Sequence, residues 1–374
     1  MSSIRVMISG GGTAGHINPA ISIAKKILSQ EPDSSIIFAG TPTGMENRLV
    51  TKAGFEIEHV KVMGFKRKLG PKELIHNAKA AWYAVASVGA AKKLIRDFKP
   101  DIVIGTGGYV SWPLLKAAAK MGIPTLIHEQ NAVPGVTTRK LSAYVDRVMI
   151  SFENTAQYLK YPERAVCCGN PVDPAVLTGS RDEARRALGV DRPFILSFGG
   201  SLGARPVNEA VYELMKNYSS KNPVRHSHAF GVSSFAQWKK KAEEDGLWGA
   251  DGLILSDYIY DMPLQMAAAD LVICRAGAIT LSELAILKKP AILIPSPYVT
   301  DDHQYKNAKV FSDKGAAVLI REKDLTPGAL EKEVSRILSD EALRESMSRA
   351  MGELAKPGAQ DMIYEEAVKL LKKN

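Results

Sequence analysis

Two doubly wound α/β domains in tandem, each on a buried parallel sheet, are the fold this sequence predicts. Three observations carry it. An apolar run at residues 6–9 enters Gly10-Gly11-Gly12-Thr13-Ala14-Gly15 and then a helical segment. A similar run at 194–198 enters Gly199-Gly200-Ser201-Leu202-Gly203-Ala204 and another helix, and short apolar runs alternate with helical stretches through both halves. At such turns glycine lets backbone N–H groups approach a phosphate, and the helix N-terminus adds positive potential. A chain of 374 residues is long for one domain and sufficient for two cores.

In the first half, the opening strand and helix lead to an apolar run at 35–40, a basic loop region, and an alanine-rich helical stretch ending at Phe98. Residues 100–109 then give a strand ending in Gly105-Thr106-Gly107-Gly108-Tyr109. Residues 124–131 give one ending in His128-Glu129-Gln130-Asn131, and 147–151 the last strand of this half. Continuous apolar runs of this kind belong to parallel sheets covered on both faces, whose ligands bind beyond the carboxyl ends of the strands. Gly169, Pro171 and Pro174 interrupt the pattern and mark a linker. The second half has runs at 194–198, 225–230, 253–255, 271–274, 291–295 and 317–320, the 225–230 run being the least regular. Charged helices follow from Leu325, broken at Lys356-Pro357-Gly358.

Composition is that of a folded globular chain, with 45% hydrophobic and 24% charged residues. Cys167, Cys168 and Cys274 are an odd set without a C-x-x-C pair, which argues against a disulfide framework or zinc site and for a reduced, cytosolic setting. The N-terminus lacks a signal-peptide pattern, and the longest apolar stretch, residues 80–91, is shorter than the roughly 18 to 20 residues of a membrane span. The net charge of +9 is lopsided: residues 1–165 hold 22 Lys+Arg against 12 Asp+Glu, or +10, leaving 27 against 28, or −1. The first half therefore expects an anionic partner, be it nucleic acid, a membrane surface or a phosphorylated substrate.

Gly10-x-Gly12-x-x-Gly15 also satisfies the dinucleotide fingerprint, so a nicotinamide or flavin oxidoreductase is the competing reading. That fingerprint expects an acid after the second strand, where this chain has Ala39-Gly40-Thr41-Pro42. A Walker-type site lacks its Lys-Ser/Thr, no nucleic-acid-binding module is recognisable, and Ala132 after His-Glu-Gln-Asn excludes a zinc-protease helix.

Seven motifs occur in order: Gly-Gly-Gly-Thr-Ala-Gly-His (10–16), Gly-Thr-Gly-Gly-Tyr-Val-Ser (105–111), His-Glu-Gln-Asn (128–131), Gly-Asn-Pro-Val (169–172), Gly-Gly-Ser-Leu-Gly-Ala-Arg (199–205), Cys-Arg-Ala-Gly-Ala-Ile-Thr-Leu-Ser-Glu (274–283) and Asp-His-Gln-Tyr-Lys-Asn-Ala (302–308). Together they closely resemble the MurG family of bacterial N-acetylglucosaminyltransferases, over nearly the whole chain. The resemblance implies a GT-B fold, two Rossmann-like domains facing a central cleft. Residues 1–168 would be an acceptor- and membrane-binding domain, joined by a C-terminal helix at about 356–374, and 169–355 a UDP-sugar-binding domain. The implied reaction moves N-acetylglucosamine from UDP-N-acetylglucosamine to the 4-hydroxyl of undecaprenyl-diphosphate-linked N-acetylmuramoyl-pentapeptide, with inversion and without metal or cofactor.

Inversion requires a base for the attacking hydroxyl and stabilisation of the departing UDP. His16, at a helix N-terminus that favours a neutral imidazole, is the candidate base. The resemblance sets Thr13, Ala14 and Gly15 beside the donor and the acceptor diphosphate, Gly105, Thr106, Gly107, Gly108 and Tyr109 on that diphosphate, and Asn131 on the donor sugar. It sets Ser201 on the UDP diphosphate, Ala278, Ile279, Thr280, Leu281, Ser282 and Glu283 at ribose and uracil, Ile259 at uracil, and Gln304 at the N-acetylglucosamine hydroxyls. Glu129 is a second base candidate, read more simply as a buried hydrogen-bonded acid. Asp301-Asp302-His303 is read as acids capping a helix rather than a metal site. Asp173 stands where better-known relatives carry an arginine, a charge reversal. Phe65, Lys66, Arg67, Lys68 and Trp82 form a basic and apolar patch suited to an anionic membrane surface. The expected location is peripheral, on the cytoplasmic side of the cell membrane, with cell-wall synthesis proteins as candidate partners and no nucleic acid.

Overall fold

The computed structural model describes residues 3–62, 70–218 and 224–372. The chain divides into two compact units, residues 1–172 with 358–374 and residues 173–357.

In the first unit, β1 (Arg5–Ser9), β2 (Ser35–Gly40), β3 (Glu56–His59), β4 (Ile102–Gly105), β5 (Thr125–Glu129), β6 (Arg147–Ile150) and β7 (Ala165–Cys167) form a parallel sheet in the order β3-β2-β1-β4-β5-β6-β7. Helices α1 (Ala14–Gln30), α2 (Glu46–Lys52), α3 (Pro71–Phe98), α4 (Ser111–Lys120) and α5 (Val136–Leu141) connect the strands. Val6 and Ile8 pack into one core with Ile17, Ala20, Ile23, Ala24 and Ile27 of α1, while Met7 packs into another with Leu114 and Leu115 of α4. Successive residues of a strand point to opposite faces, so the unbroken apolar run of β1 reflects two covered faces.

Two strands of this sheet are unannounced by the sequence. β3 reads Glu-Ile-Glu-His inside the stretch expected to be a basic loop, and β7 follows the strand at 147–150 expected to be last. Both lie at sheet edges, where one ladder suffices: β3 pairs with a single apolar residue, and β7, though apolar, is only three residues long.

The second unit repeats the plan. β8 (Phe194–Phe198), β9 (Arg225–Ala229), β10 (Leu253–Ser256), β11 (Leu271–Cys274), β12 (Ala291–Leu293) and β13 (Ala317–Leu319) run parallel in the order β10-β9-β8-β11-β12-β13. Its helices are α6 (Pro174–Leu177), α7 (Arg181–Leu188), α8 (Arg205–Tyr218), α9 (Phe235–Glu244), α10 (Met262–Ala268), α11 (Ala278–Ile286), α12 (His303–Asp313), α13 (Pro327–Ser339) and α14 (Glu341–Glu353). The irregular run at 225–230 is a true strand: His226 and His228 are buried, and Ser197 Oγ lies 2.7 Å from His226 Nε2 and 2.8 Å from His228 Nδ1. Asp173 caps α6, its Oδ1 accepting from Ala175 N at 2.9 Å.

The last helix, α15 (Ala359–Leu371), belongs to the first unit. Ile363, Ala367 and Leu370 enter the core formed by β1 and α1. Tyr364 Oη donates to Glu31 Oε1 at 2.9 Å, and Arg147 Nε to Glu366 Oε2 at 3.1 Å. Burying Ile363 or Leu370 contributes roughly 1.5–3 kcal/mol each, so the apolar face dominates the docking and the half-buried Arg147–Glu366 pair adds to it.

Candidate active site

In the first unit the strand order reverses between β1 and β4, the place where ligands bind on doubly wound sheets. The loops that leave these strands meet backbone to backbone. Gly108 has φ +84°, and a Cβ there would lie 2.3 Å from Gly11 O; one on Gly10 would lie 2.2 Å from Thr106 Oγ1. Gly11 N donates to Gly107 O at 3.4 Å, Thr106 Oγ1 to His16 O at 2.7 Å, and Ser111 Oγ to Gly107 O at 2.7 Å. The two loops are one joined surface.

Glu46, 1% exposed, braces that surface. Its Oε1 accepts from Thr41 N at 2.9 Å and Thr41 Oγ1 at 2.7 Å, and its Oε2 from Gly12 N at 3.2 Å. Burial opposes the charged form, but the hydrogen bonds from Thr41 and Gly12 prevail and hold the carboxyl below its ordinary 4.5. Nothing in the sequence announced this residue, which falls in the stretch read as loop.

Beyond the brace, Thr13, Ala14 and Gly15 are exposed at the start of α1. The first turn holds no acid and the Thr13 side chain makes no capping bond, which leaves a helix N-terminus suited to an anion. His16 is half-buried, with Nδ1 3.0 Å from Gln130 Oε1. Glu129 is buried; its Oε1 accepts from Asn131 N and Nδ2 at 3.1 and 3.0 Å, and its Oε2 from Gly135 N at 3.1 Å, so it shapes the loop and orients Asn131.

Of the five residues expected on a diphosphate, Gly105, Thr106 and Gly107 are buried. Gly105 ends β4, and a Cβ there would lie 2.2 Å from Leu115 Cδ1, so its glycine serves helix packing. Thr106 is engaged as a strut. The part of this loop open to a ligand narrows to half-buried Gly108 and to Tyr109, which is 58% exposed.

In the second unit the order reverses between β8 and β11. The loop after β8 again depends on glycine: Gly203, φ +80°, leaves 2.0 Å between a Cβ and Phe230 O. Ser201 is exposed in that loop. After β11, Gly277 is the N-cap of α11, whose first turn carries no acid and whose residues Ala278, Ile279 and Thr280 are half-buried. Leu281 is wholly buried core, and Ser282 Oγ donates to Ala278 O at 3.2 Å. Glu283 lies one turn further along α11, beyond the first turn where a dipole partner would sit. Burial, reinforced by the Asp173 carboxylate, raises its carboxyl to about 7. Ile259 is 3% exposed, while its neighbours Tyr258 and Tyr260 are exposed. Gln304 Oε1 accepts from Ser296 N at 2.8 Å, so its amide NH₂ is the end left for a ligand.

Asp302 corrects an expectation. It stands at the N-cap of α12 but in the left-handed region, φ +54°, with no side-chain capping bond. Asp301 beside it is also left-handed, at φ +52°. Arg275, which the sequence reading passed over, donates to Ile294 O at 3.1 Å and pairs with Glu322, fixing the chain just before α11. Among the described residues, no three His, Cys, Asp or Glu are grouped to hold a metal ion. Phe65, Lys66, Arg67 and Lys68 lie outside the described residues, as does the side chain of Trp82, whose backbone is in α3.

Two doubly wound units, each with a glycine-lined helix N-terminus at its switch point, match the GT-B plan, and the family models make the class a glycosyltransferase. The glycosyltransferase family 28 N-terminal domain matches residues 6–150 and the family 28 C-terminal domain residues 194–363. The chain is 46% identical over 373 residues, 99% of either chain, to the UDP-N-acetylglucosamine–N-acetylmuramyl-(pentapeptide) pyrophosphoryl-undecaprenol N-acetylglucosamine transferase of Acetivibrio thermocellus. It is 41% identical to a Bacillus thuringiensis protein of the same name, over 99% of this chain and 100% of that one. The crystal structure of Acinetobacter baumannii MurG superposes with a TM-score of 0.77 at 31% identity, covering 99% of this chain and 100% of that one. A UDP-N-acetylglucosamine 2-epimerase of Neisseria meningitidis shares the fold, with a TM-score of 0.65 at 15% identity over 99% of this chain and 100% of that one. The chain belongs to the MurG family within glycosyltransferase family 28.

The Glu46 brace has a measurable pH signature. Because its folded pKa lies below the unfolded value of 4.5, its stabilisation is complete above about 4.5 and is lost as pH falls through the folded value. Glu46→Gln is expected to lower the unfolding free energy at pH 7 by about 1–3 kcal/mol, the cost of disturbing a buried hydrogen-bonded acceptor. In urea titrations the gap to wild type should close steadily below pH 4.5; a gap independent of pH would contradict a charged brace.

Proposed function

We propose that the enzyme transfers N-acetylglucosamine from UDP-N-acetylglucosamine to the 4-hydroxyl of undecaprenyl-diphosphate-linked N-acetylmuramoyl-pentapeptide, completing the lipid-linked peptidoglycan precursor. The observation that carries this reading is 46% identity across 99% of the chain to a transferase named for that donor and acceptor. No feature favours the oxidoreductase alternative: β2 ends at Gly40, with Thr41 and Pro42 where the fingerprint wants an acid.

In this reading the first unit holds the acceptor and the second the donor. The acceptor diphosphate takes N–H groups of Thr13, Ala14, Gly15, Gly108 and Tyr109. His16 removes the proton from the attacking hydroxyl as the new C1–O bond forms, and the C1–O bond to the diphosphate breaks with its electron pair leaving on UDP. Ser201 and the first turn of α11 meet the charge that develops on that diphosphate, a role for fixed N–H dipoles that assigns no metal. Glu283 accepts the ribose hydroxyls, Ile259 borders uracil, and Asn131 and Gln304 contact the sugar, Gln304 as a donor. Asp173 keeps Glu283 reluctant to ionise, so donor binding includes drawing the carboxyl into its charged form, which makes the stronger hydrogen bonds.

The protein is peripheral at the cytoplasmic face of the membrane in this reading. Its support is the +10 balance of residues 1–165 and the mixed basic and apolar composition around Phe65, Lys66, Arg67, Lys68 and Trp82. Among the described residues no helix is long and apolar enough to cross a membrane.

Glu283→Ala is expected to raise the donor KM about tenfold, the loss of one charge-assisted hydrogen-bond pair, with the acceptor KM within twofold of wild type. In wild type the donor KM should fall as pH rises through about 7, and Glu283→Gln should abolish that slope; an unchanged donor KM in Glu283→Ala would remove the ribose assignment. Reversing charge at Lys66, Arg67 and Lys68 together should weaken co-sedimentation with anionic vesicles while activity on a detergent-soluble acceptor stays intact. Undiminished sedimentation would take this patch out of the account.

A further inference from the structure

The His16 ring is held by a hydrogen-bond chain whose polarity is set by the carbonyls it meets. Gln130 Nε2 lies 3.0 Å from Thr106 O, 3.1 Å from His128 O and 3.0 Å from His128 Nδ1. The two carbonyls can only accept, so the NH₂ end of the amide belongs there, and Oε1 faces His16 Nδ1 at 3.0 Å. A flipped amide would oppose oxygen to two carbonyls and NH₂ to His16. Oε1 also can only accept. His16 Nδ1 therefore carries the hydrogen.

The far end of the chain agrees. His128 Nε2 lies 2.9 Å from Gly169 O and must donate to it, which leaves a lone pair on Nδ1 to accept from Gln130. That requires a neutral His128, and complete burial provides it by lowering the imidazole pKa to about 4. Asn170 Nδ2 donates to Gln130 O at 3.2 Å, and Ser151 Oγ lies 2.8 Å from Glu129 O and 2.9 Å from Asn170 Oδ1, tying down the backbone from which the amide projects. The His16 ring lies against Gly107, where a Cβ would come within 2.8 Å of Nδ1.

We infer that Gln130, backed by His128, is a positioning residue that holds His16 as the Nδ1–H tautomer and so presents the Nε2 lone pair to the acceptor hydroxyl. The inference rests on the reading of His16 as the base. A free imidazole in water prefers the opposite tautomer, which would offer the substrate an N–H where it needs an acceptor. In the reaction the hydroxyl proton moves to Nε2, and the imidazolium that results keeps its Nδ1–H on the Gln130 carbonyl. That partner is neutral, so the proton is not trapped as it would be on a histidine paired with a carboxylate. Gln130 is buried and acts on the reaction through His16 rather than on the substrate.

The test uses the full-length enzyme labelled with ¹⁵N in its histidine rings, seven in all, with a His16→Gln spectrum to assign the resonance. Wild type above pH 8 should show His16 protonated on Nδ1. Gln130→Met, which fills the same space without hydrogen bonding, should move His16 toward the Nε2–H form and lower kcat about 100-fold, with the UDP-N-acetylglucosamine KM within twofold. The wild-type tautomer needs no Gln130 variant to be read, so the assignment stays testable if the methionine variant folds poorly. His16 protonated on Nε2 in wild type, or unchanged tautomer and kcat in Gln130→Met, would overturn the inference. Wild-type kcat in His16→Gln would overturn the base reading instead, and the wild-type tautomer spectrum would still decide the hydrogen-bond assignment.

Discussion

The close approach of two loops at the β1/β4 switch point is the constraint on which the first unit depends. Parallel strands whose connections depart in opposite directions must release their loops side by side, and here the loops touch without room for a Cβ at Gly10 or Gly108. The contact aligns the N-terminus of α1 with the loop after β4, and Thr106 then grips the backbone of His16. Gly203 against Phe230 O imposes the same condition on the second unit. A side chain at any of these points forces backbone movement, which displaces the N–H groups that a diphosphate would meet.

Around these contacts the first unit places buried polar groups whose charge state is settled by their surroundings. Glu46 is ionised because Thr41 and Gly12 donate to it, and His128 is neutral because burial away from water disfavours the charged imidazolium. In the second unit Glu283 sits between these cases, raised toward neutrality by burial and by Asp173. Asp173 thus has a local role and a more distant effect: it caps α6 through Ala175 N, and it adds to the burial that makes the Glu283 carboxyl harder to ionise.

Much of this was legible in the sequence because its cues are local. Glycine-rich strand ends, apolar runs and the order of seven motifs each occupy a few consecutive residues, and they gave the tandem α/β plan and the family. Edge strand β3 escaped because pairing on one side demands little apolar character, and β7 because three residues are too short a run to stand out. Glu46 escaped because its role depends on Gly12, which only the fold brings to it. Gln130 was in view inside His-Glu-Gln-Asn, but its meaning depends on the carbonyl directions at Thr106 and His128, which no spacing rule encodes. Asp302 misled because an acid before a helix ordinarily caps it, and here left-handed backbone turns the side chain to no such bond.

The central claim is a sugar transfer that joins this donor to this acceptor. UDP release from UDP-N-acetylglucosamine in EDTA, measured with and without a short-chain lipid-diphosphate N-acetylmuramoyl-pentapeptide, tests it most directly. The account predicts release that depends on the acceptor and persists in the chelator. Donor binding without acceptor-dependent release would contradict the acceptor assignment, and absence of donor binding would contradict the account as a whole.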